Sequence, residues 1–184
     1  MSLSFKKTEI DGIWLIEPVI FGDHRGHFLE AFRQEIFREK GLIFNFVQDN
    51  ISTSKKGTIR GLHYQKPPHA QAKLVMAISG TILDVAVDIQ KNSPTFGEHV
   101  SVILSEENRH MMYVPPGFAH GFSVLSESAA VYYKCNDYYD KKSERGVKWD
   151  DPDLGINWQI AEPTISEKDQ KLPALSELPA VDLF

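Results

Sequence analysis

From residue 44 to residue 136 the chain reads as one short alternating segment after another, each closed by turn residues. Thr81 to Ile89 shows the pattern most strictly. Leu83, Val85, Val87 and Ile89 point one way, and Asp84, Ala86 and Asp88 the other, the period of a strand. Lys73 to Ser79 precedes it across Ser79-Gly80, a hairpin signal. Ile59 to Tyr64, His99 to Leu104, Met111 to Val114, Phe118 to Leu125 and Ala129 to Asn136 continue the series, and Phe44, Phe46 and Gln48 share one face. Many short strands separated by turns predict an all-β sandwich or barrel.

The flanks are read less uniformly. Residues 13 to 20 predict an early strand, with Pro18 favouring an edge position. Phe21 to Gly26 reads as a turn, and Phe28 to Phe32 resumes extended structure. Residues 33 to 40 predict a short helix with Ile36 and Phe37 on its apolar face and Gly41 at the C-cap position. The last forty residues carry Trp149, Trp158 and a short helix near Ser166 to Lys171. With 184 residues the expectation is one domain over 1–184, its segment from about 146 packing over the barrel.

Composition narrows the partners. The net charge is −5 without a basic block, which disfavours nucleic acid. No apolar run approaches the roughly 18 residues of a membrane span, and Met1 to Ile10 lacks the apolar core of a signal peptide. Cys135 is the only cysteine, so no internal disulfide forms and a cytoplasmic location is expected. A small anionic ligand needs only a few cations, and Arg25, Arg60, Lys73 and Lys168 are available.

Two histidines stand in apolar, glycine-punctuated strands: His63 in Arg60-Gly61-Leu62-His63, and His120 between Ala119 and Gly121. Each is either a core histidine bonded to backbone or a working group. Arg60 and His63 fall on opposite faces of a regular strand, so they share a pocket only if Gly61 supports a bend or bulge. Lys73 is the only charge between Ala70 and Thr81. It is a rim lysine or a cation for the site. Tyr132 and Tyr133 face opposite sides, and the pair alone does not say which is inside. Ser166-Glu167-Lys168-Asp169 fits a capping box, or else Asp169 orients a histidine. His-x-His and His-Glu-x-x-His are both absent, which disfavours a metal site.

The ordered segments Phe21 to Glu30, Val47 to Asn50, Arg60 to Gln65, Asp84 to Ile89, Ser93 to Gly97, Pro116 to Phe122, Tyr133-Lys134 and Trp149 to Ile156 resemble the dTDP-4-dehydrorhamnose 3,5-epimerase family, a cupin-type jelly roll. The resemblance implies that His63 is the base, Asp169 its carboxylate partner, Tyr133 the acid on the opposite face of the sugar and Lys73 the group that meets the enolate. It implies that Arg60 and His120 line the sugar and pyrophosphate region. Arg25, Glu30, Gln48 and Asn50 would contact the nucleotide, some from the other subunit of a homodimer. Phe28 would stack on thymine, and Glu144 and Lys168 would be peripheral ligand contacts. Met76 and Gln90 stand where family arginines are expected. The implied substrate is a dTDP-4-keto-6-deoxyhexose, with no cofactor and no metal. The rivals are a 3- or 5-mono-epimerase or ketoisomerase, a non-catalytic sugar-binding cupin, and a metal-dependent cupin oxygenase.

Overall fold

Two antiparallel sheets lie face to face in a sandwich, as the alternation predicts, with short peripheral helices and the jelly-roll architecture that the resemblance implies. The computed structural model describes residues 3–42 and 44–184. The strands are β1 Leu3–Lys7, β2 Trp14–Pro18, β3 Ile20–Asp23, β4 Gly26–Leu29, β5 Gln48–Lys55, β6 Ile59–Gln65, β7 Lys73–Ser79, β8 Thr81–Asp88, β9 His99–Ser105, β10 Met111–Val114, β11 Phe118–Val124, β12 Ser128–Cys135 and β13 Glu144–Gly146. One sheet has the order β1-β2-β10-β7-β12-β5, the other β13-β6-β11-β8-β9. Helix α1 spans Gln34–Glu39, with Phe37 buried and Gly41 at φ +80° beyond its end.

Apolar side chains from both sheets fill the space between them. Val75, Ala77, Met112, Val114 and Val131 of the six-stranded sheet meet Ile82, Ala86, Leu104, Phe118, Phe122 and Val124 of the other. The five-stranded sheet is buried on its outer face as well. Leu83, Val85, Val87 and Ile89 pack there against Trp149, Leu154, Trp158, Leu175 and Phe184, so the segment after residue 146 covers the sandwich. The outer face of the six-stranded sheet is covered by the region around α1, where Phe37, Leu42 and Phe44 pack over Ile16, Leu74, Met76 and Tyr113.

Several local readings change. β2 is flanked by β1 and β10; Pro18 sits at its last residue, where a missing N–H costs no interior ladder bond. The predicted turn at Phe21 to Gly26 is a hairpin whose strands β3 and β4 pair from Ile20↔Leu29 to Asp23↔Gly26, leaving His24 and Arg25 at its tip. Phe44 and Phe46 lie outside any strand, and β5 begins at Gln48. The predicted helix near Ser166 to Lys171 is a single 3-10 turn, Asp169–Lys171.

The two tryptophans of the C-terminal segment tie it down. Trp158 is 5% exposed, donates Nε1–H to Trp149 O at 2.7 Å, and its own carbonyl accepts from Ser123 Oγ at 2.8 Å. Trp158→Ala is expected to lower unfolding free energy by about 3–5 kcal/mol, read from urea denaturation followed by far-ultraviolet circular dichroism.

Candidate active site

A cleft opens into the interior of the sandwich where the facing strands turn polar. Along β5, Gln48, Asn50, Ser52 and Ser54 occupy alternate positions. The first three line the cleft, and Ser54 is buried beside it, accepting a hydrogen bond from Arg60. From the same sheet Lys73 and Tyr133 enter, and from the opposite sheet Arg60, His63 and His120. The cleft has two connected parts of about 290 and 150 Å³ that share His63, Lys73 and Tyr133.

A bulge puts Arg60 and His63 on one side of β6. His120 pairs with His63 and Phe122 with Arg60, so two steps on β11 match three on β6 and one residue is extra. Gly61 supplies it, at φ +131°. A Cβ on Gly61 would stand 2.5 Å from Gly121 Cα, and one on Gly121 would stand 2.7 Å from Arg60 O. Two glycines thus let the strands approach, and Leu62 and Tyr64 turn outward into the core beneath the C-terminal segment.

His63 Nε2 lies 2.7 Å from Asp169 Oδ1. A carboxylate only accepts, so Nε2 carries the proton and Nδ1 is the ring's free lone pair. Burial pushes the Asp169 carboxyl up, but hydrogen bonds from His63, Gly61 N–H and Ser166, with the charge the imidazole carries when protonated, bring it below its ordinary value. The Asp169 N–H donates to Ser166 Oγ at 3.1 Å, but the turn has Lys168 at its cap position with no side-chain cap bond, and the carboxylate binds His63 instead of completing a capping box. A second pair lies beside the first: His120 Nε2 donates to Asp84 Oδ1 at 2.8 Å. Asp84 Oδ2 and Ser52 Oγ are buried without a hydrogen-bond partner among the described residues.

Lys73 is a cleft residue, not a rim lysine. Its Nζ lies 3.4 Å from His63 O, and burial holds its pKa below the ordinary range, against the pull of Cys135, Asp84 and Glu144. Burial also lowers the His120 pKa, opposed by Asp84 and reinforced by Lys73 and His63. Of the tyrosine pair, Tyr133 faces inward; burial raises its pKa, with Cys135 adding and Arg60 opposing, so it carries its proton at neutral pH. Tyr132 lies on the outer face, where its hydroxyl accepts from Lys134. Cys135 is buried and also lines the cleft.

Of the other predicted residues, Gln48, Asn50, Glu144 and Lys168 line the cleft. Glu144 accepts from Lys168 Nζ at 2.5 Å and from Tyr139 Oη at 2.9 Å. Arg25, Phe28 and Glu30 are absent from its lining. Arg25 pairs with Asp23 at the hairpin tip, Phe28 is 70% exposed, and Glu30 pairs with Arg33. Met76 faces the outer side of the six-stranded sheet, and Gln90 bonds to Asp88, so neither departure touches the cleft. Sequence reasoning missed Asp84 and Ser52 as site residues. The signal for Asp84 was a carboxylate midway along a strand whose opposite face, Leu83, Val85 and Val87, is wholly apolar.

Residues 7–177 match the profile of the family described as dTDP-4-dehydrorhamnose 3,5-epimerase. The chain is 52% identical over 164 residues to the protein of that name from Shigella flexneri, covering 89% of this chain and 91% of that one. It is 49% identical to the one from Methanothermobacter thermautotrophicus, over 95% and 96% of the two chains. The chain belongs to the dTDP-4-dehydrorhamnose 3,5-epimerase family. Among solved structures, dTDP-6-deoxy-D-glucose-3,5-epimerase from Legionella pneumophila, in complex with dTDP-4-keto-L-rhamnose, superposes with a TM-score of 0.95 at 46% identity, covering 98% of this chain and 97% of that one. The family assignment and the fold therefore agree.

Two outcomes follow from this geometry. Gly61→Ala is expected to lose activity at least about a hundredfold, because moving reacting groups by about 1 Å has that effect; steady-state kinetics on the folded variant reads it. Because the Asp169 carboxyl titrates lower in the folded protein than in the unfolded chain, its stabilisation is complete above the unfolded value of about 4 and is lost as pH falls through the folded one. The urea midpoints of wild type and Asp169→Asn should therefore differ at pH 7 and converge as the pH falls through the lowered folded-state value of Asp169.

Proposed function

We propose that this protein epimerises C3 and C5 of dTDP-4-dehydro-6-deoxy-D-glucose to give dTDP-4-dehydro-L-rhamnose, a step of dTDP-L-rhamnose biosynthesis. The observation that carries the mechanism is a carboxylate-bound histidine on one wall of a cleft with a protonated tyrosine on the opposite wall. Inversion needs that arrangement: a proton leaves one face of the carbon and another arrives on the other.

The C4 ketone acidifies the protons on C3 and C5. His63 takes one of them through Nδ1, and Asp169 stabilises the imidazolium that forms. The electron pair moves into an enolate whose oxygen takes up negative charge, and the Lys73 ammonium meets it in a buried setting where such a contact is strong. Tyr133 then protonates the carbon from the far side, and the ketone reforms. Each inversion leaves His63 with a proton and Tyr133 without one, and solvent exchange resets both. Arg60 and Lys168 supply the cations for the pyrophosphate, and Gln48, Asn50 and Glu144 contact the rest of the nucleotide sugar. No redox change occurs, so the chemistry calls for neither a metal nor a redox cofactor.

The protein acts as a homodimer in this reading, and Arg25, Phe28 and Glu30 reach the partner's nucleotide through the exposed β3–β4 hairpin. Its exposed Phe21 and Phe28 support the idea, since apolar patches mark interaction sites. No helix among the described residues is long and apolar enough to cross a membrane, and the lone buried thiol fits a cytoplasmic enzyme.

In deuterated water the wild-type protein should place deuterium at both C3 and C5, followed by proton NMR. Deuterium at one carbon only would make it a mono-epimerase, and none at either would leave a sugar-binding cupin. His63→Asn should slow exchange at both carbons by about 10²–10⁴-fold. Tyr133→Phe should keep exchange at one or both carbons yet yield no L-rhamno product; unimpaired conversion by that variant would refute the acid role.

A further inference from the structure

The strand bordering His63 is only three residues long, yet it is gripped from both sides. β13 pairs with β6 in the register Glu144↔Gln65, Arg145↔Tyr64 and Gly146↔His63. On the cleft side, Glu144 holds Lys168, the residue before Asp169. Gly146 leaves room for Leu172, since a Cβ there would stand 2.7 Å from Leu172 Cδ1. Leu172 directly follows the turn that carries Asp169. The position of Asp169 against His63 therefore depends on β13 lying in place on β6.

On the outer side, residues 180–184 close over this strand. Arg145 Nε donates to Asp182 Oδ1 at 2.9 Å, and Lys66 Nζ donates to the same oxygen at 2.7 Å. Tyr64 Oη donates to the Asp182 carbonyl at 2.7 Å. Tyr64 is the cross-strand partner of Arg145, and Lys66 follows the end of β6. The Asp182 side chain is only 14% exposed. Two residues on, Phe184 is fastened by backbone bonds to Ile89 and Lys91, and its ring meets Tyr64 edge-on at 6.3 Å.

We infer that Asp182 is a positioning residue for the His63–Asp169 pair. It clamps Lys66 and Arg145, one at the end of β6 and one on β13, and so holds the strand on which both members of the pair depend. An edge strand of three residues has few ladder bonds of its own, and a shielded ion cluster is stronger than an exposed pair. The inference rests on the reading of His63 as the base, and Lys66, Arg145 and Asp182 all lie outside the cleft lining.

The test is Asp182→Asn, which keeps the shape of the side chain and removes its charge. Its kcat is expected to fall about tenfold with KM within about twofold, as displacement of a catalytic pair predicts. Long-range 1H–15N spectra of the His63 ring, assigned with His63→Asn, should show one Nε2–H tautomer in the wild type and a mixture in the variant. Asp182→Glu should recover most of the activity, and Arg145→Gln, which breaks the pair from the other side, should repeat the loss if Asp182→Asn does not fold. The inference is overturned if Asp182→Asn keeps the wild-type kcat and ring spectrum. It is equally overturned if kcat falls only in proportion to folded protein while the ring spectrum stays intact. The spectra are taken on free protein, so they report on the clamp even if the sugar substrate proves to be a different one.

Discussion

The approach of β6 to β11 at Gly61 and Gly121 is the constraint on which the site depends. Side chains alternate along a strand, so Arg60 and His63 belong on opposite faces. The extra residue in β6 turns His63 back inward, toward Tyr133 and Lys73 of the other sheet. It also turns Leu62 and Tyr64 outward, where the C-terminal segment covers them. One local irregularity thus opens the cleft on one face and completes a core on the other. Any side chain at Gly61 would meet backbone at 2.5 Å, which leaves glycine as the residue that fits.

The rest of the site is built by letting the interior of a sandwich turn polar at one end. β5 presents Gln48, Asn50, Ser52 and Ser54 where a core strand would present valines. Buried polar groups are costly unless partnered, and two of them here, Asp84 Oδ2 and Ser52 Oγ, have no partner among the described residues. The same burial shapes the chemistry. It keeps Tyr133 protonated and makes the Lys73 amine easier to neutralise, while His63 is held by a carboxylate that the site keeps ionised.

The strands between β6 and β12 were legible because each is short, alternating and closed by turn residues. Where other forces set the structure, the sequence was a poorer guide. β1 has only Leu3 and Phe5 to pack among lysines, so nothing marks it as a strand until β2 is seen beside it. The β3–β4 hairpin was masked by Gly22, Asp23 and Gly26, which look like one long turn. Phe44 and Phe46 have strand spacing, but they follow the packing over Tyr113 and Phe32 instead. In the site, His63, His120 and Lys73 stood out as polar groups in apolar strands. The order of Tyr132 and Tyr133 was not readable, since adjacent tyrosines look alike until the register is known. Asp84 escaped notice because a carboxylate in an alternating strand is ordinarily on the solvent face, and this strand has none.

The most direct test of two-sided proton transfer is a crystal structure with a dTDP-hexose that lacks the 4-keto group and so cannot react. The hexose ring should lie between the two walls, with His63 Nδ1 directed at one face near C3 and C5 and the Tyr133 hydroxyl at the other. Finding both groups on the same face of the ring, or His63 Nδ1 turned away from it, would contradict the mechanism.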